Sequence, residues 1–245
     1  MPKFDSREAN LHPVYSYRRR LIQNFVLGSS LIVFNALPAN AFKLKLPGLG
    51  SSGGGANWGT ILKDFAAGLK IVAKASIIVG TVLADLAEAL GLKQEAALMR
   101  AQVKNLEEKG DSAGGSDIEE FGKVSTTTTL VIIEKTKEAG TLSAEQKAKM
   151  TEGMAKYVPA VFLAITGGVK IFKAASSISG AGAPGPMDGL EAIQAATTIP
   201  ETLPQAMSFL QKTVEVSDSL AAIAREKDIA VPDTSGMSAA MSKMG

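Results

Sequence analysis

From Trp58 to Leu90 the charged and polar residues Lys63, Lys70, Lys74, Thr81, Asp85 and Glu88 fall on the three- and four-residue steps of one narrow helical stripe. Between them stand Ile61, Leu62, Phe65, Leu69, Val72, Ile78, Val79, Val82, Leu83 and Leu86, with small residues filling the gaps. A strand would alternate every second residue; this period belongs to a long helix. A helix with so thin a polar stripe must be covered around most of its circumference, which takes several partner helices. The expected fold is therefore all-α, an antiparallel helical bundle.

The rest of the chain supplies those partners. Gly91 interrupts the first helix, and Lys93–Lys109 reads as a shorter polar one with Leu98, Val103 and Leu106 inside. Residues 109–117 are expected to form a loop. A third helix is expected over Ile118–Glu138. Its centre, Ser125–Ile133 (STTTTLVII), favours a strand, but the flanks IEEFGK and EKTKEA favour helix and decide the reading. Ser143 and Gln146 make a capping box for the next helix. That helix carries Glu145–Lys149 and Glu152–Lys156 on its wet side, meets a kink at Pro159 and ends in a loop over 180–189. Two further stretches, Leu190–Thr198 and Leu203–Asp228, are expected to be separated at Pro200. The domain reading is a signal peptide over 1–41, a flexible Gly/Ser linker over 42–57, a helical bundle over 58–230 and a flexible Met-rich tail over 231–245.

One internal similarity stands out. Residues 68–80 (GLKIVAKASIIVG) align with 168–180 (GVKIFKAASSISG), placing Ser76 and Gly80 opposite Ser176 and Gly180. Each Ser-xxx-Gly pair puts two small side chains on one face, where a neighbouring helix can come close. Ser76, Gly80, Ser176 and Gly180 are the expected helix-packing positions. The alignment arises either by chance among Ala/Gly/Ser-rich helices or from two related helical halves packed together.

The N-terminus reads as a leader. Arg18-Arg19-Arg20 precedes an uncharged run from Leu21 to Ala41 that closes on Ala39-Asn40-Ala41. Small residues three and one before the cut suit a signal peptidase, so cleavage is expected between Ala41 and Phe42. The alternative, an uncleaved anchor, is disfavoured by Gln23, Asn24, Ser29, Ser30, Asn35 and Pro38 within the run. The expected location is the periplasm or the exterior. General secretion is favoured over twin-arginine export because Tyr17 stands where Ser or Thr is usual before an arginine pair.

Composition then narrows the chemistry. Removing the five basic and two acidic residues of 1–41 from totals of 26 and 24 leaves the remainder near −1. Only Arg100 and Arg225 remain as arginines, so the dense guanidinium face of a nucleic-acid binder is missing, and no nucleic-acid partner is expected. The chain has no cysteine, and its one histidine, His12, lies in the leader. Beyond the cleavage point there is neither thiolate nor imidazole for catalysis or zinc.

Four motifs tempt and fail. Residues 110–115 (GDSAGG) resemble the surround of a chymotrypsin-type serine, but Ser112 has no histidine to take its proton. GxGxxG occurs at 48–53 and 180–185 without the strand–turn–helix setting that dinucleotide binding needs. Asp111, Asp117, Glu119 and Glu120 do not have calcium-loop spacing and suit a helix N-terminus instead. Met237, Met241 and Met244 would line up in a helical tail, but a single thioether cluster is thin support for copper. No cofactor, metal or catalytic residue is assigned. The longest uncharged internal runs, Tyr157–Val169 and Ala174–Met187, fall short of a membrane span.

Together these features lead to an exported, non-enzymatic interaction or structural protein of the cell envelope, with a protein partner or self-association. Two alternatives stand beside it: a periplasmic carrier of a lipid or other apolar ligand, and a helical protein that lies on a membrane surface through its lysine-bordered apolar helices.

Overall fold

The computed structural model describes residues 58–110, 113–181, 184 and 189–242, without the side chains of part of 179–209. The leader and linker, with Ala39, Ala41 and Phe42, lie outside the described residues, as do Ser112 and Met244. Six helices and no strand occur among the described residues: α1 (Trp58–Ala89), α2 (Lys93–Lys109), α3 (Gly115–Glu138), α4 (Ala144–Ala181), α5 (Gly189–Glu226) and α6 (Gly236–Met241). The fold is all-α.

The polar stripe of α1 emerges as read, with Lys63, Lys70, Lys74, Thr81, Asp85 and Glu88 exposed; the apolar residues between them are covered except Ile78, which lies on the stripe and is exposed. Gly91 ends the helix in the left-handed region, at φ 75°. There the Leu92 amide donates to the Ala87 carbonyl (2.8 Å) and the Gly91 amide to the Glu88 carbonyl (2.9 Å), closing the last turn. A side chain at that φ would be strained, which is why glycine occupies the position. In α2 the inward face is Ala96, Met99, Val103 and Leu106. Leu98, expected inside, is half exposed at 51%, because Met99 takes the core position next to it.

The strand-prone centre of α3 is helical, and its hydroxyls explain how. Thr129 Oγ1 donates to the Ser125 carbonyl and Thr136 Oγ1 to the Ile132 carbonyl, both at 2.7 Å. Each of these two hydroxyls is thereby satisfied inside its own helix, so Thr129 and Thr136 are buried without an orphaned donor.

The Ser143–Gln146 capping box forms with both reciprocal bonds. The Ser143 amide donates to Gln146 Oε1 (3.0 Å) and the Gln146 amide to Ser143 Oγ (3.1 Å). The long helix that follows, α4, pairs along its length with α1. Leu86 lies over Gly153 near one end of the pair, and Ile171 over Gly68 toward the other, so the register runs in opposite directions along the two helices. At the waist the backbones touch: a Cβ on Gly68 would stand 2.9 Å from the Gly167 carbonyl oxygen, and one on Gly167 would stand 2.9 Å from that of Gly68.

Two main apolar cores lie along this pair, one on each side of the glycine waist, and a small third cluster of Val72, Ala73 and Ile118 lies beside the waist. The larger joins Val82, Leu83 and Leu86 of α1 with Met99, Phe121, Ile132, Met154, Val161, Leu220 and Met237. The smaller joins Trp58, Leu62 and Phe65 with Ala174, Ala175, Ala192, Ala195 and Ile199.

Two expectations are corrected. Pro200 does not separate two helices, since α5 runs unbroken from Gly189 to Glu226. It feeds the smaller core at Ala195 and Ile199 and the larger at Leu210, Val214 and Leu220, and this packing overrides the missing amide of proline. The tail is also packed over its described length. Arg225 reaches the Pro232 carbonyl (3.2 Å), and α6 carries Met237 fully into the larger core.

Candidate functional site

The expected packing residues separate into different settings. Gly80 faces α2 and α3 at close range, where an added Cβ would stand 2.6 Å from Val103 Cγ2 and 2.7 Å from Phe121 Cε2. Ser76, one helical turn earlier, is buried as well. Ser176 is exposed, so its assignment to a packing face is corrected; the surroundings of Gly180 lie outside the described side chains. The reason is a register slip. At the waist Gly68 corresponds to Gly167 and Val72 to Ile171, one residue out of step with the alignment of 68–80 on 168–180. The structural counterpart of Ser76 is therefore buried Ala175. The two helices are related locally about the waist, but not through the residues that the sequence similarity pairs.

Most chemistry-bearing groups within the fold are internally satisfied, although Trp58 Nε1 and Gln102 Oε1 are buried without a hydrogen-bond partner. Tyr157 is fully buried, and its hydroxyl lies 3.0 Å from Ser217 Oγ. Ser217 spends its own proton on the Thr213 carbonyl (2.6 Å), so the tyrosine donates. Burial pushes the Tyr157 phenol up, against the opposing influence of hydrogen bonding with Ser217 and Thr129. The acids around the start of α3 go to separate partners. Asp117 accepts from the Gly114 amide (2.9 Å) and pairs with Lys109, Glu119 pairs with Lys123, and Glu120 accepts from Gln102. Among the described residues no three carboxylates gather as a metal site. Met237 is in the core rather than on a thioether face.

What sequence reading missed is the way the wet stripes of α1 and α4 combine. Lys156 is held above its ordinary range first by Glu152 on its own helix and also by Asp85 across the pair; Lys149 is raised first by Glu145 and also by Glu88. Arg100 of α2 closes this end against Asp85 and Glu88, and holds the Glu88 carboxyl below its usual range. The two stripes therefore share one exposed face. Followed along the antiparallel register, that face is sorted by length. Beyond the mixed charges comes a neutral band with Thr81, Pro159, Thr166 and the exposed apolar side chains Ile78 (42%) and Leu163 (38%). Lys74 stands level with Leu163, and beyond it come the exposed lysines Lys63 and Lys70 of α1 and Lys170 and Lys173 of α4, with Asp64 the one acid of those two helices in this stretch. The register brings Lys70 level with Lys170. A signal was present in the sequence: charge order along α1 runs from basic to acidic, and along α4 from mixed to basic, so antiparallel pairing stacks like with like.

The expectation that nothing beyond the leader is long enough to span a bilayer is also corrected. By length and composition α1 and α4 are both sufficient, because their few charges are spread along the edge stripe; half of each apolar window is buried within the fold.

Comparison with protein-family models, with curated proteins and with solved structures gives no match.

Proposed function

We propose that the protein is an exported, non-enzymatic helical interaction protein of the cell envelope, and that it works by docking through the exposed face of α1 and α4. The observation that carries this reading is the lengthwise sorting of that face. Five lysines collect at one end and an apolar band borders them, whereas ion pairs such as Glu145–Lys149 and Glu152–Lys156 populate the other. Random wet surface mixes its charges; a face that concentrates one sign beside exposed Ile and Leu is suited to a complementary partner.

The non-enzymatic part rests on the setting of the reactive groups. Glu88, Glu145 and Glu152 have lowered pKa values from exposed ion pairs, first with Arg100, Lys149 and Lys156 respectively, which makes them weak bases near neutrality. Tyr157 is sealed in the core. Export rests on Ala39-Asn40-Ala41, and mass analysis of the N-terminus in the envelope fraction checks it: a chain starting at Phe42 is expected, and an intact Met1 or Pro2 terminus contradicts it.

Photo-crosslinking tests the docking face. A photoreactive residue placed at 78 or 163 is expected to capture a partner in the native envelope, and one at 137, on the exposed end of α3, is not. Absence of adducts from 78 and 163 overturns the docking reading. Turnover of an ester, glycoside, peptide or phosphoester that survives repurification and vanishes on mutating one carboxylate overturns the non-enzymatic one.

A further inference from the structure

Resting on the docking reading above, we propose that the occupant of this face is an anionic lipid surface. On this assignment the lysine end meets phosphate headgroups, while Ile78 and Leu163 enter the boundary between headgroup and acyl chain.

Shape, charge and residue type each favour a lipid over other partners. Lys63 and Ile78 are fifteen residues apart on α1, about 22 Å along the axis, and the stripe of α4 runs alongside over the same length. Two parallel stripes on paired helices make a nearly flat strip, which fits a plane better than it fits a groove. The charge is carried by lysines, hydrated point charges on flexible stems that suit a diffuse negative surface. Such stems also let the apolar band approach the interface while the ammonium groups stay among headgroups.

A protein partner would call for different residues. Tight protein interfaces are built around Trp, Tyr and Arg. Here Trp58 and Tyr157 are buried, Arg100 is engaged at the opposite end of the face, and Arg225 is turned to Pro232 and Thr234. Nucleic acid would favour arginine forks for phosphate and base edges, and this face has none.

The test uses the exported chain and two kinds of vesicle, phosphatidylcholine alone and phosphatidylcholine with about one third phosphatidylglycerol. The parent protein is expected to float with the anionic vesicles and not with the neutral ones, and to be released by added salt. The double reversal Lys170→Glu with Lys173→Glu should weaken binding at least about tenfold, while Lys135→Glu with Lys137→Glu, an equal change of charge on α3, leaves it within about twofold. Asp64→Lys should tighten binding several-fold, with an unchanged melt excluding a gain from unfolding. Circular dichroism and melting checks that these exposed substitutions leave the fold intact. Equal binding to neutral vesicles, no binding to anionic ones, or indifference to both Lys170/Lys173 reversal and Asp64→Lys overturns the lipid assignment. If that happens while residues 78 and 163 still crosslink to a protein, the docking face stands and only its occupant was misassigned; if crosslinking fails as well, both fall.

Discussion

At the scale of single residues, the closest tolerances are at glycines. Gly68 and Gly167 meet backbone atoms of the opposing helix, which cannot swing aside, whereas Gly80 meets the side chains of Val103, Phe121 and Met99. Alanine at Gly68 or Gly167 is therefore expected to destabilise by about 1–3 kcal/mol despite its better helix propensity, and by more than alanine at Gly80. Ser176→Ala, on an exposed site, should change stability by less than about 0.5 kcal/mol. Chemical denaturation of the four variants decides the ranking; equal stability throughout would mean the waist is not in backbone contact. Tyr157 gives a second residue-scale test. Its folded pKa is raised by burial, so the folded protein holds the phenolic proton where the unfolded chain would release it. Its stabilising influence is complete below the unfolded value near 10 and is lost as pH rises through the folded one. Tyr157→Phe should cost about 0.5–1.5 kcal/mol near neutrality and should flatten the fall of stability on the alkaline side, as read from melts across pH. An alkaline limb of unchanged steepness would show that Tyr157 does not govern it.

At the scale of elements, what could be read in the sequence followed from local rules. The bounds of α2 at Lys93 and Lys109, the turn at Gly91 and the Ser143–Gln146 box are set by periodicity, caps and glycine, all of which act within a few residues. The misreadings arose where tertiary contacts overrule local preference. Pro200 argues for a break, but burial of Ala195 and Ile199 before it and of Leu210 and Val214 after it keeps α5 whole. Likewise the small-residue composition of 231–245 reads as a loose tail, and only the core shows that Met237 has a site waiting for it. Met237→Ala should cost about 2–5 kcal/mol in a chemical denaturation series, the range for truncating a fully buried methionine. A loss below about 0.5 kcal/mol would mean that α6 adds little to the fold.

At the scale of the whole molecule, the decisive property is register. Each wet stripe was legible on its own helix, from Lys63 to Glu88 and from Glu145 to Lys156, because helical period depends on one segment alone. Their juxtaposition was not, because the internal similarity of 68–80 and 168–180 suggests a correspondence one residue away from the one the waist adopts. Only when the helices are paired does Asp85 come near enough to act on the charge of Lys156, and does Lys70 come level with Lys170. The most direct test of the proposed docking face is retention in the envelope fraction of producing cells, whatever the occupant. Cells producing the parent, Lys170→Glu with Lys173→Glu, or Lys135→Glu with Lys137→Glu are broken at low salt, and the envelope is sedimented. The account predicts that the parent and the α3 variant stay with the envelope while the Lys170/Lys173 variant, equally folded, moves to the supernatant; retention of all three alike would contradict it.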